Sequence, residues 1–361
     1  MNNLQNFFKN LKVVELASVL AGPAVGLFFA ELGAEVIKVE NKKTGGDVTR
    51  NWKLPNEDKA AEHSAYYCSV NWNKRSHLLD LRESADRQKV LDWISEADVL
   101  ISNFKLTSAR KMGLDYDTVK GLNARLIYAQ LTSFGEESNR VAFDIVLQAE
   151  AGFLYMTGEP DREPVRMSVA LIDILAAHQL KEGILIAMLQ REHSGVGAYV
   201  STSLIEAALA SLANQATNWL MGEHIPQRMG TMHPNIAPYG DLFYTKDKKP
   251  IILAAGTELQ FKKLCQTIGR EDLIKVAEFE TNAARVRHRS QLKKELAKGI
   301  QLFERDDLLN ILHQREVPVG SIRNMKEVFE LETARKMLLE DTLPNGQKGI
   351  RVSTVAFKMK Q

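Results

Sequence analysis

Apolar and polar positions follow two rhythms through the first 130 residues. Leu11–Leu16 is a short apolar run of strand type, and Ala21–Leu32 follows with helical spacing. Gly22-Pro23 stands at the start of that helix, where proline is tolerated. Gly33 ends it, and Glu35–Val39 is a second strand. A polar loop with Gly45-Gly46 leads to the strand Ser76–Leu81, the helix Ala85–Glu96 and the strands Asp98–Ser102 and Ala124–Leu131. Strand, helix, strand at this spacing predicts a parallel sheet covered by helices.

From Phe143 to Leu220 the pattern is mostly helical, and Leu175–Arg191 is apolar on several sides, as a core or subunit-interface helix would be. Gly, Pro and His cluster around Gly222–Pro238, which marks a domain boundary. Asp241–Ala255 alternates like a hairpin, Leu259–Leu312 reads as charged helices, and Val317–Ile322 starts the return. Gly349–Lys358 reads as a closing strand that rejoins the first domain. The expected organisation is a discontinuous large domain, residues 1–220 and 319–361, with a small domain over 225–318.

Composition narrows the function. Lys and Arg total 47 against 45 Asp and Glu, a net charge of +2, which argues against a nucleic-acid binder. Glu15, Glu31, Glu35 and Glu40 interrupt the apolar amino-terminal stretch, so no membrane span is expected. Two distant cysteines, Cys68 and Cys265, suit a reducing, cytoplasmic setting. There is no phosphate-binding Walker loop, no zinc-type spacing, no HExxH and no GxSxG, and the first strand runs into Leu16-Ala17-Ser18-Val19-Leu20-Ala21-Gly22-Pro23 rather than GxGxxG. Neither a metal nor a redox cofactor is expected. Sheet topology alone leaves dehydrogenase, hydrolase and transferase open.

Asp173 is a lone carboxylate in the apolar run Val169-Ala170-Leu171-Ile172-Asp173-Ile174-Leu175-Ala176. Placed just before a long helical pattern, it reads as an N-cap, and equally as a partly desolvated nucleophile held at a helix start. His233 is the one histidine in a Gly/Pro-rich loop.

A resemblance adds to this. Leu11-Lys12-Val13-Val14-Glu15-Leu16, Ala21-Gly22-Pro23 and Leu32-Gly33-Ala34-Glu35-Val36-Ile37-Lys38-Val39-Glu40 resemble the opening of the class III coenzyme A transferases. That family includes formyl-CoA transferase, carnitine CoA-transferase and α-methylacyl-CoA racemase. Further matching pieces follow in the family's order, among them Gly46-Asp47-Val48-Thr49-Arg50, Met112-Gly113-Leu114-Asp115-Tyr116, Phe143-Asp144-Ile145-Val146 and Val317-Pro318-Val319-Gly320. The resemblance covers nearly the whole chain.

The resemblance implies an α/β fold: a large Rossmann-like parallel-sheet domain, discontinuous, with a smaller inserted α+β domain, assembled as an interlocked homodimer. It implies acyl-CoA and a carboxylic acid as substrates, and Asp173 as the carboxylate that attacks the thioester. Oxyanion donors would be N–H groups at the start of the following helix or in the Gly230–Tyr239 loop. Leu79, Arg82, Asn103, Phe104 and Lys111 match positions that contact CoA; Lys111 replaces the usual arginine, with Arg110 beside it. Val19, Leu20, Trp52, Asp144, His233 and Tyr239 match substrate positions. Leu20 stands where formyl-CoA transferase has glutamine, and Thr231–Tyr239 replaces its glycine run. Three functions compete: CoA transfer, acyl-CoA racemisation, and silent acyl-CoA binding. Phe143, where the racemase has an acid/base histidine, disfavours the second; an intact Asp173 disfavours the third.

Overall fold

In the computed structural model, which describes residues 6–342 and 348–359, the apolar runs of the amino-terminal region become strands of one parallel sheet. They are β1 (Lys12–Leu16), β2 (Glu35–Asn41), β3 (Arg75–Leu79), β4 (Val99–Ser102), β5 (Ile127–Thr132) and β6 (Tyr199–Ser203). Their spatial order is β3-β2-β1-β4-β5-β6. Both faces of the sheet are covered, which is why β4 is buried throughout and β1 is buried from Val13 to Leu16. Neighbouring residues point to opposite faces. Val13 and Ile101 join Phe29 and Ile184 on one side, while Val14 and Leu100 join Ile94 and Tyr128 on the other. β6 lies inside the stretch read as mostly helical. It pairs only with β5, and its sequence Tyr-Val-Ser-Thr-Ser carries little apolar signal.

The long helix spans Leu171–Ser194 and ends at Gly195 in the left-handed conformation. It starts four residues before the periodic run suggested, so Asp173 lies inside its first turn. Ala170, not Asp173, is the N-cap residue. The tail differs too. Lys348–Val352 pairs antiparallel with Leu338–Thr342 as a two-stranded ribbon, not as a strand of the main sheet. Arg351 ion-pairs with Glu31 of the Ala21–Glu31 helix at 2.7 Å, and the Thr354 and Val355 N–H groups donate to the same carboxylate.

Two compact units result. One comprises the described residues of Met1–Phe153, Arg166–His224 and Thr333–Gln361; the other comprises Leu154–Val165 and Ile225–Glu332. The second has an antiparallel sheet of β7 (Tyr239–Tyr244), β8 (Pro250–Ala254) and β9 (Val319–Ser321). Helices pack on it around Phe261, Leu264, Leu296 and Leu308. Because β9 pairs with β8, residues 319–321 fold with this unit rather than beginning a return to the first. Among the described residues no helix is long and apolar enough to cross a membrane.

Candidate active site

Reversal of strand order between β1 and β4 leaves a crevice at their carboxyl ends, the usual ligand position in an open α/β sheet. Buried charges brace its floor. Lys38 on β2 donates to Glu15 of β1 (2.9 Å) and to the Ala17 carbonyl (2.8 Å), and lies 3.1 Å from Asp47. Lys74 donates to the other Glu15 oxygen at 2.7 Å and to the Pro23 carbonyl at 2.8 Å. Burial opposes the charge on Lys38, but Glu15 and Asp47 outweigh it and raise its pKa; on Lys74 burial prevails and lowers the pKa to about 8. Gly26 is required here, since a Cβ would stand 2.0 Å from Glu15 Oε2. Asp47 also accepts the Val19 N–H at 3.1 Å. Val19 has φ +74°, a strained conformation for a β-branched residue. The buried carboxylate thus holds the loop after β1 in its bend.

A cavity of about 770 Å³ fills the crevice. Leu79, Arg82, Asn103 and Phe104, all expected at a CoA site, line it together with Ser18, Glu40 and Asp47. Arg82 is held by Asp80 at 3.0 Å, and Lys43 reaches the same carboxylate at 3.2 Å. Burial would raise the Glu40 carboxyl, but hydrogen bonds from Arg50, Ser76, the Asp47 N–H and Tyr67 hold it at about 2. Lys111 does not line the cavity. It lies exposed in the last turn of the Leu106–Met112 helix, whose Ser108 and Met112 form the wall.

A second cavity, about 340 Å³, shares Ser18, Asn103, Phe104 and Lys105 with the first. Val19, Leu20, Phe143 and Asp173 line it. Asp173 is 8% exposed, and no described residue donates a hydrogen bond to its carboxylate. Burial, then the neighbouring Asp144 charge, push its pKa up to about 7. Asp144 is buried in the first turn of the Asp144–Glu150 helix, with Gln148 donating to one oxygen. Its other oxygen accepts the Ile172 N–H at 2.7 Å and the Asp173 N–H at 3.4 Å. Asp144 therefore caps the helix that carries Asp173, the role assigned to Asp173 from sequence. The N–H groups expected there as oxyanion donors are already engaged. Trp52 packs edge-on against Tyr66, with ring centroids 4.9 Å apart, and against Phe143 at 6.4 Å. Asp173 and Asp144 both raise the Tyr66 pKa, after burial.

His233 and Tyr239 belong to the second unit. There the His233 N–H donates to the Tyr239 carbonyl at 2.9 Å, and their rings lie 5.1 Å apart. Tyr66, Asp47 and Gln148 were missed by sequence reasoning as contributors. Gln148, one turn after Asp144, carried the only visible signal. Among the described residues no cluster of three or more His, Cys, Asp or Glu could hold a metal.

Comparison with known proteins shows the family. The sequence model of CoA-transferase family III matches residues 8–361. The chain is 36% identical over 335 residues to a succinate–glutarate CoA-transferase of Agrobacterium fabrum, covering 91% of this chain and 83% of that protein. It is 32% identical to the human succinyl-CoA:glutarate CoA-transferase, covering 91% and 74%. The crystal structure of a CaiB/BaiF family protein from Brucella suis superposes with a TM-score of 0.87 at 38% identity, covering 97% and 92%. A switch-point crevice opening onto a buried aspartate, and a match across almost every residue, assign the chain to CoA-transferase family III, enzymes that transfer coenzyme A.

Proposed function

We propose that this chain moves CoA from an acyl-CoA donor to a carboxylic acid acceptor through an aspartyl-CoA thioester on Asp173. The observation that carries this reading is Asp173 itself: a buried carboxylate without donors, facing a cavity continuous in its lining with the larger one. The adenosine and phosphate end of CoA fits the larger cavity, near Arg82, Lys43 and Lys105. The thioester then reaches Asp173 past Asn103 and Phe104.

Asp173 attacks the thioester carbonyl, giving a mixed anhydride and CoA thiolate. The thiolate attacks the aspartyl carbonyl, giving the enzyme thioester and releasing the donor acid. The acceptor carboxylate attacks that thioester, forming a new mixed anhydride and freeing the thiolate. The thiolate then attacks the acyl carbonyl and regenerates Asp173. Each step conserves the thioester's reactivity. With Asp144 occupying the N–H groups of Ile172 and Asp173, the oxyanions need other donors. Leu20 and Ala21, at the start of the first helix and on the cavity wall, offer theirs. A weakly solvated carboxylate is the more reactive nucleophile, which suits Asp173 once ionised.

Racemisation needs a second proton-transfer group, and position 143 holds phenylalanine. The names of the relatives favour short dicarboxylic acids as substrates. Exposed Ile186 and Leu189 on the long helix, with Trp219, Leu220 and Met221, suit the homodimer contact that the family resemblance implies. Unpaired Cys68 and Cys265 fit a reducing cytoplasm. Hydroxylamine added with acyl-CoA should convert Asp173 to a hydroxamate, located by peptide mass mapping. Asp173→Asn should lose transfer by several orders of magnitude. Label on Asp144 instead, or near wild-type transfer by Asp173→Asn, refutes the mechanism.

A further inference from the structure

Behind Leu20 lies a third cavity of about 360 Å³, bounded by residues of the first unit. Leu20 lines both this space and the one holding Asp173. Ile174, Ala177, His178 and Lys181 form one wall. They recur at the i, i+3, i+4 and i+7 spacing of one helix face, immediately after Asp173. Most of the remaining surface near Leu20 is apolar: Ala24, Leu27 and Ala170.

Tyr66, Ser69, Ser168 and Thr354 add polar groups to the lining, and Lys181 adds an ammonium. Its residue is only 9% exposed, and its ammonium has no hydrogen bond or ion pair with any described residue. It stands 5.2 Å from the centroid of the Phe28 ring, and the Glu31 and Glu182 carboxylates attract it without pairing with it. Glu31, on the opposing Ala21–Glu31 helix, is already taken by Arg351, Ser353, Thr354 and Val355. Burial lowers the pKa of Lys181, and the same influence with Lys181's charge lowers that of His178. A largely buried cation with no carboxylate paired to it is costly to the fold. The cost is offset when an anion enters.

We propose that this cavity receives the distal carboxylate of a dicarboxylic acyl group, with Lys181 as its counter-ion and the walls around Leu20 taking the methylene spacer. The inference rests on the CoA-transfer reading and deepens it by naming the acyl class. Helix geometry sets the scale: eight residues at about 1.5 Å each put the Asp173 and Lys181 Cα atoms about 12 Å apart. A helical lysine leans back toward the helix start and shortens that span. One carboxyl at Asp173 and the other at Lys181 therefore require a spacer of several methylenes. Donor acyl group and acceptor acid would occupy the same place in turn.

Calorimetric titration of glutarate and of butyrate into the full chain at pH 6.5 tests this, since Asp173 is then largely protonated and repels the ligand least. Glutarate should bind at least about tenfold more tightly than butyrate, the value of one charged hydrogen bond, and Lys181→Met should erase that preference. The variant should unfold at or above the wild-type temperature, because an uncompensated buried cation is gone. Should Lys181→Met not fold, Lys181→Gln gives the same comparison. Equal affinities in the wild type, or a preference that survives in the variant, overturn the proposal. A parallel assay of transfer from succinyl-CoA to glutarate separates the two readings. Absent transfer with an intact preference would sink the transfer reading alone, and transfer without a preference would sink only the Lys181 site.

Discussion

On the proposed mechanism Asp173 must be ionised to attack, yet its surroundings hold it at about 7. Transfer should therefore fall as pH drops through about 7. Replacing the Asp144 charge by Asp144→Asn should move that midpoint to lower pH, as a pH–rate profile would record; an unmoved midpoint would mean that burial alone sets it. The stability consequence has the opposite sense. A carboxyl raised from 3.8 to about 7 favours the fold when protonated, and that contribution is lost as pH rises from about 4 to 7. Asp173→Asn should thus be more stable than wild type at pH 8, by at most roughly 4 kcal/mol, and no different near pH 3. Denaturant unfolding at the two pH values measures this. Asp173 stands out in the sequence because a lone carboxylate in an apolar run coincides with a position of the family resembled, and the structure places it on a cavity wall. Its setting was not legible in the sequence, because the residue that caps its helix lies 29 positions upstream.

At the scale of elements, apolar rhythm located five of the six parallel strands and misread the sixth. β1, β2, β4 and β5 are largely buried and β3 is an exposed edge; β6 is the other edge, with hydroxyl side chains, and its pairing with β5 decides its state. The loop after β1 was equally hidden, since nothing in Ala17-Ser18-Val19-Leu20 announces a left-handed valine. That conformation depends on Asp47, itself paired with Lys38. Asp47→Ala should cost about 3–5 kcal/mol by denaturant unfolding, because it leaves Glu15 as the one carboxylate paired with two buried lysines, Lys38 and Lys74, and releases the bend. Val19→Gly should cost less than glycine usually does, since the strain it removes offsets added chain entropy. If Asp47→Ala proves neutral, the bend is maintained by packing and the network does not position the site.

For the whole molecule, the strand order brings together side chains that the sequence spreads from Ser18 to Leu204. Their assembly at one sheet edge follows from topology, which is why the class of site was readable while its depth and its third cavity were not. Apolar residues exposed on the Leu171–Ser194 helix predict that the chain does not persist as a folded monomer: sedimentation at nanomolar concentration should find dimers, and a compact active species of about 40 kDa would remove that expectation. The Glu31 anchor carries one more consequence, for the order of events in folding. Its contacts with Ser353 and Thr354 join positions 322 and 323 residues apart. During synthesis the first helix emerges long before the segment that satisfies its carboxylate, so the nascent first unit holds an unpaired acid at its heart. The last-made ribbon closes the unit, and refolding should show the protection of Ala21–Glu31 amides arriving together with that of residues 348–352, however early the parallel strands form.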